Sequence, residues 1–205
     1  MGRPPDTERR QQLLDGVVAH LAAHGLANVS LRPMAAAMHV GVNALVHHFG
    51  SKEELVVAAL DRATQLQLAV RQRWLTADPD LSTADLLRKW WRWINASPAN
   101  LALVRLGLEA AALDATASGL PGAVRSEQIS TWRADLEEHL LAHGMDKPTA
   151  QVEASLTKAM FTGLVVDLLA TGQRRRLGNA LETGLARLEQ VCCGDDPPEA
   201  RHPTR

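Results

Sequence analysis

Residues 30–55 read SLRPMAAAMHVGVNALVHHFGSKEEL, and the fold turns on how this stretch is punctuated. Ser30 is a favoured N-cap, with Val29 before it and Met34 placed to close a hydrophobic staple. Pro33 falls in the first turn, where its missing N–H has no intrahelical partner to lose. After about Met38 the chain turns through His39-Val40-Gly41 and re-enters a helix from about Val42 to Phe49. Gly50 then breaks the chain, Ser51 caps the next helix, and Glu54 stands at the position that completes a capping box. Two short helices joined by a tight turn, ahead of a strongly capped third, form the layout of a helix-turn-helix. Such a motif lays its second helix in the DNA major groove, which is wide enough to admit it and displays a base-specific pattern of donors and acceptors.

Outward from this stretch, Leu, Ala, Val and Trp recur at helical spacing, with no sustained alternation of the kind that marks a strand. The expectation is an all-α fold of about nine helices. One precedes the motif, from about Thr7 to His24, with Leu13, Leu14, Val17, Val18 and Leu21 on one face and Gly25 as its stop. The capped helix continues to about Trp74; Ser82 or Thr83 opens a Trp-rich helix, and Ser97-Pro98 opens another. Gly119 to Gly122 reads as a loop leading to a helix around Trp132 that Gly144 ends. Asp146-Lys147-Pro148 starts a long apolar helix to about Thr171, Gly172 closes it, and a last helix runs from about Leu177 to Val191. This predicts a DNA-binding domain over 1–50, a larger helical domain over 51–193, and a disordered tail over 194–205.

At 205 residues and 46% apolar, the chain can bury a sizeable core. No apolar run approaches the roughly 18 residues of a membrane span, and the start MGRPPDTERR is charged where a signal peptide is apolar, so no membrane and a cytoplasmic location are expected. Cys192 and Cys193 are adjacent, cannot staple distant parts of the fold, and fit a reducing compartment. The net charge of −1 offers no general attraction to nucleic acid. Residues 1–52 nonetheless carry five cations against three carboxylates, a net +2, leaving −3 for the remainder.

The segment 30–55, and its end LVHHFGSKEEL above all, resembles the DNA-binding segment of the TetR family of transcriptional regulators. The resemblance implies that the helix from Val42 enters the groove, with Val42, Asn43 and Ala44 at its exposed start. Asn43 would bond a base edge and Ala44 approach a thymine methyl, while Leu45 and Phe49 look inward. His47 matches a phosphate-contacting position, and Lys52 adds a cation beside helix-terminal N–H groups; Arg32, His48 and Arg3 complete the expected DNA contacts. Three residues depart from the family pattern. His39 stands at a usual turn glycine, Gly41 at a usual Ser or Thr cap, and Val46 at a usual Tyr; loss of the phenol's backbone contact implies either a weaker phosphate grip or compensation from Arg3, Arg9 and Arg10.

The larger domain resembles the family in helix count and polarity, which implies a ligand-binding and dimerisation role. Of seven aromatic residues, Trp74, Trp90, Trp91, Trp93, Trp132 and Phe161 all follow the motif. Trp90 and Trp93 share a helical face while Trp91 points about 100° away. Core aromatics are one reading; a wall for a hydrophobic or aromatic effector, made by Trp90, Trp93, Trp132 and Phe161, is the other. Arg105 and Glu109, four apart, would pair at a solvated edge or anchor such a ligand. The last two long helices match the family's dimerisation pair, with Leu156, Met160, Gly163, Leu164, Leu168 and Leu185 as expected homodimer contacts.

No enzyme is expected: no nucleophile motif or phosphate-cradling Gly loop appears, and Glu137-Glu138-His139 has the spacing of a solvated helix face. No metal or cofactor is expected either. His20 and His24 could pair, but adjacent His47 and His48 point apart and no Cys or Glu cluster completes a site. The reading that follows is a repressor released from a pseudo-palindromic duplex DNA operator by a small molecule. A helical protein-interaction module without DNA binding is the alternative, and it leaves the match over 43–55 unexplained.

Overall fold

The computed structural model describes residues 7–27, 29–115 and 123–192. Their order is α1 (Thr7–His24), α2 (Leu31–Ala37), α3 (Val42–Phe49), α4 (Lys52–Ala77), α5 (Thr83–Ala96), α6 (Pro98–Ala115), α7 (Ala123–Ala142), α8 (Lys147–Thr171) and α9 (Arg174–Cys192). Among the described residues there is no strand. The fold is all-α, as the sequence implies. Two helix ends lie beyond the expected ones: α4 continues to Ala77, and α9 begins at Arg174 rather than near Leu177. The Gly119–Gly122 loop, the tail and Arg3 fall outside the described residues.

Packing divides the chain into two units, and not at residue 50: one comprises Met1–Pro79 with Trp90–Ser130, the other Asp80–Lys89 with Thr131–Arg205. The reason is visible in the first unit's core. Val17 and Leu21 of α1, Met34 of α2, and Leu45 and Phe49 of α3 join Leu55, Val56, Ala59, Leu60 and Ala63 of α4 and Leu106 and Ala110 of α6 in one buried cluster. One helix of 18 residues and two of 7 and 8 cannot enclose their own apolar faces, so α4 and α6 supply the remaining walls.

In the second unit α8 lies along α9. Phe161, Val165 and Leu168 of α8 and Leu177, Leu181, Leu185 and Leu188 of α9 are buried. Gly184 faces the Met160 thioether, which would have to shift to admit a side chain there. Buried Glu153 accepts from both Arg187 terminal nitrogens, at 2.7 and 2.8 Å, which satisfies an otherwise isolated carboxylate. The start of α5 is tied to α9 by Arg88, which donates to Glu182 at 2.8 Å and Glu189 at 2.7 Å. Among the described residues, α8 is the one helix long and apolar enough to cross a membrane, by length and composition only. It escapes a search for unbroken apolar runs because Glu153, Lys158 and Asp167 interrupt it; Glu153 and Asp167 are ion-paired to Arg187 and Arg176 of α9.

Candidate nucleic-acid interface

Each end of α3 is fixed by backbone geometry. At the turn before it, Val40 N–H donates to the Ala35 carbonyl at 3.0 Å and His39 adopts φ 55. That left-handed conformation is ordinarily a glycine's, so an imidazole is held here at some strain and stays exposed. At the far end Gly50 takes φ 80, and any Cβ there would meet the Glu54 carboxylate. This carboxylate accepts from Ser51 N–H at 2.7 Å, while Glu54 N–H donates to the Ser51 hydroxyl at 3.1 Å. The capping box expected from the sequence is complete, and the Ser51 bonds hold the Glu54 carboxyl below its ordinary range. Ser30 sits at the N-cap of α2 but makes no side-chain cap bond.

On α3, Leu45 and Phe49 are buried, Val42, Ala44 and His48 half-buried, and Asn43, Val46 and His47 exposed. Lys52 and Arg32 are exposed; the Lys52 ammonium lies 3.4 Å from Glu53. Ala44 is therefore less open than the expected thymine contact implies, whereas Val46, where the family carries a tyrosine, is 46% exposed. Arg10 holds α1 to the end of α3: its Nε donates to the His48 carbonyl at 3.4 Å, and its guanidinium lies 4.8 Å from the Phe49 ring centre. A cation on a helix C-terminus and on an aromatic face is doubly favourable, so Arg10 positions the reading helix. Arg62 similarly bonds Asp15 at 2.7 Å and ties α4 to α1. Sequence patterns missed both contacts because their partners lie 38 and 47 residues away.

The aromatic residues gather in two places. In the first unit Trp90 and Trp93 stack at 4.7 Å, Trp74 meets Trp90 edge-on at 6.2 Å, and the Arg71 guanidinium lies 5.1 Å from the Trp90 ring centre. Trp90 is 3% exposed, a core anchor, whereas Trp74 and Trp93 remain half-exposed. In the second unit Trp132 meets Phe161 edge-on at 5.4 Å. Arg105 and Glu109 belong to neither cluster. Arg105 donates to the Ala22 carbonyl at 2.7 Å, Glu109 accepts from Leu26 N–H at 2.9 Å, and the two pair at 3.1 Å. They satisfy backbone groups at the C-terminal end of α1, where carbonyls lack helical partners, so of the two expected readings the pair is the one the geometry displays.

The expected dimer residues separate by burial. Leu168 and Leu185 turn inward, at 3% and 0% exposure, and serve the second unit's own core. Leu156 and Gly163 are exposed, and Met160 and Leu164 half-buried. Exposed Val152, Leu156, Ala159, Gly163, Val166 and Ala170 recur at spacings of three and four along α8, a single apolar stripe. Val152 and Val166 were legible at this spacing once the inward face was known. Among the described residues no three His, Cys, Asp or Glu side chains gather as a metal site; His20 and His24 stack at 4.2 Å without a third ligand.

Residues 13–59 match the family described as bacterial regulatory proteins, tetR family. No curated protein sequence matches the chain. Among solved structures, a transcriptional regulator from Rhodococcus sp. Rha1 is similar with a TM-score of 0.73 at 24% identity, over 92% of this chain and 99% of that one. A TetR transcriptional regulator from Legionella pneumophila aligns with a TM-score of 0.68 at 18% identity, over 93% and 99%. The multidrug binding protein EbrR, solved with imidazole, aligns with a TM-score of 0.61 at 24% identity, over 95% and 98%.

Proposed function

We propose that this chain, whose residues 13–59 match the tetR family of bacterial regulatory proteins, is a cytoplasmic, homodimeric repressor that leaves a pseudo-palindromic operator when a hydrophobic or aromatic small molecule binds. The observation that carries the DNA reading is α3 itself. It is a helix with one exposed face, entered through the His39 turn and held at its C-terminal end by both the Ser51–Glu54 capping box and Arg10, with a base-capable Asn43 and a phosphate-capable Lys52 beside it.

Dimerisation follows from the α8 stripe: a helix with Val152 56%, Leu156 49% and Val166 52% exposed leaves an apolar face that a symmetry mate would cover. Two-fold symmetry then matches two half-sites. The half-exposed Trp74 and Trp93 supply flat apolar surface for an effector, and the similar fold of a multidrug binding protein supports that chemistry.

The route from effector to operator runs along α4, one uninterrupted helix of 26 residues with Lys52 at its start and Trp74 in its last turn. Ligand that displaces Trp74 shifts α4, and α3 moves with it, so the reading heads of the dimer leave register with the half-sites. The effector lowers affinity by binding the shifted state better, with no change at the DNA face itself.

Selection of bound sequences from a random duplex pool, repeated between about 50 and 200 mM salt, tests the proposal. An enriched pseudo-palindrome is the expected result. No enrichment at any salt overturns it in favour of a protein-binding helical module. With that operator in hand, Trp93→Ala should keep DNA binding and blunt the response to an effector; loss of DNA binding by the folded variant would make Trp93 structural.

A further inference from the structure

We infer that His47 reads a base, accepting a purine with a free N7 edge, rather than gripping a phosphate; the inference rests on the reading that α3 enters the major groove. Leu45 and Phe49 define the packed side of α3, since both are buried in the first unit's core. A helix turns by about 100° per residue, which places His47 roughly 180° and Asn43 roughly 140° from the centre of that packed side. Val46 and His48 then lie roughly 80° to either side, by the same arithmetic.

In a groove the direction opposite the packed side faces the base edges, and the flanks face the two phosphate strands. The exposure pattern agrees: Asn43 and His47 are both exposed, while His48 is half-buried. Neither the Asn43 nor the His47 side chain makes a hydrogen bond within the described residues; His47 meets only the His48 ring, edge-on at 5.3 Å. Both are thus available to donate, and a neutral or charged imidazole always carries at least one N–H.

Purine N7 is an acceptor in the major groove, and in guanine O6 stands beside it. Asn43 and His47 are one turn apart, about 6 Å along the helix axis, close to two base-pair steps. The phosphate role falls to the flanks, to Lys52, and to His48, while Val46 on the opposite flank offers no donor at all. Phosphate contact on the Val46 side is then lost, and base readout through His47 gains weight.

The test is a scan of the selected operator in which each purine in turn is replaced by its 7-deaza analogue, with wild type, His47→Ala, His47→Asn and Asn43→Ala. One purine per half-site should cost wild type about threefold to tenfold, the scale of one hydrogen bond. His47→Ala should be indifferent to that replacement, His47→Asn should retain part of the sensitivity, and the position should lie about two base pairs from the one relaxed by Asn43→Ala. His47→Ala lowering affinity for every duplex alike, with the 7-deaza profile unchanged, overturns the inference and restores a phosphate contact. An operator that is enriched but insensitive to any 7-deaza replacement overturns it alone, whereas absence of any enriched operator overturns the DNA reading together with it.

Discussion

The helix-turn-helix and the α8–α9 pair are both built from consecutive helices, yet they advertise themselves in different ways. In residues 30–55 nearly every position has a job that only a few residue types can do: Gly50 at φ 80, the reciprocal Ser51–Glu54 cap, Leu45 and Phe49 inward, Asn43 outward. In α8 and α9 the jobs are generic. Leu, Val and Ala serve equally on the buried side, as at Leu168, and on the exposed side, as at Leu156. A surface that reads B-DNA answers to a rigid partner of fixed geometry, so its local rules are strict. A surface that meets a copy of itself can vary on both sides together.

The sharpest way to break the comparison is to charge the stripe on α8. Leu156→Glu should leave the second unit folded, since the side chain is already exposed, but make the protein monomeric by sedimentation and weaken operator binding by about 100-fold or more as the second half-site is lost. Unchanged binding by a monomer would detach DNA recognition from α8 altogether. Next in size, Asn43→Ala should lose about 1–3 kcal/mol on the selected operator and relax one position in each half-site. Weakening that is equal on all sequences would demote Asn43 to a backbone contact.

Lys52→Ala should weaken operator and random duplex together and lower the salt slope by about one, because one fewer phosphate is neutralised. Sequence-dependent loss would contradict that role. The smallest effect concerns pH. Burial, and then His143, hold His139 below its ordinary value of 6.5. The folded protein therefore binds this proton less readily than the unfolded chain, so the contribution is intact above about pH 6.5 and is lost as pH falls below it. Thermal melts from pH 7.5 to 5.5 should show a falling Tm, with a shallower slope in His139→Gln; an identical slope would locate the dependence elsewhere, with His20 next, since burial and then His24 lower it as well.

Much of the first region was legible because its determinants are local. The helix end at Phe49, the turn at His39, and the box at Ser51 and Glu54 are all set by residues within a few positions of one another. Arg105 and Glu109 show the limit. Their spacing announced a pair, and they do pair, but their bonds to the end of α1 cross 83 residues of sequence. Leu168 and Leu185 show it again, for an apolar residue at helical spacing carries no mark of which neighbour it will face.

The sequence by itself determined an all-helical chain, the place of its two short helices, the capping box that opens α4, and the face of α3 that turns inward, because helix propensity, capping and periodicity act over one or two turns. Only the tertiary structure decided that α4 and α6 complete the core of the first unit, that Arg10 and Arg62 lock α3 and α4 to α1, and which stripe of α8 stays uncovered. Those outcomes depend on which apolar faces meet across long stretches of chain, and burial of nonpolar area is favourable without regard to the identity of the surface that covers it.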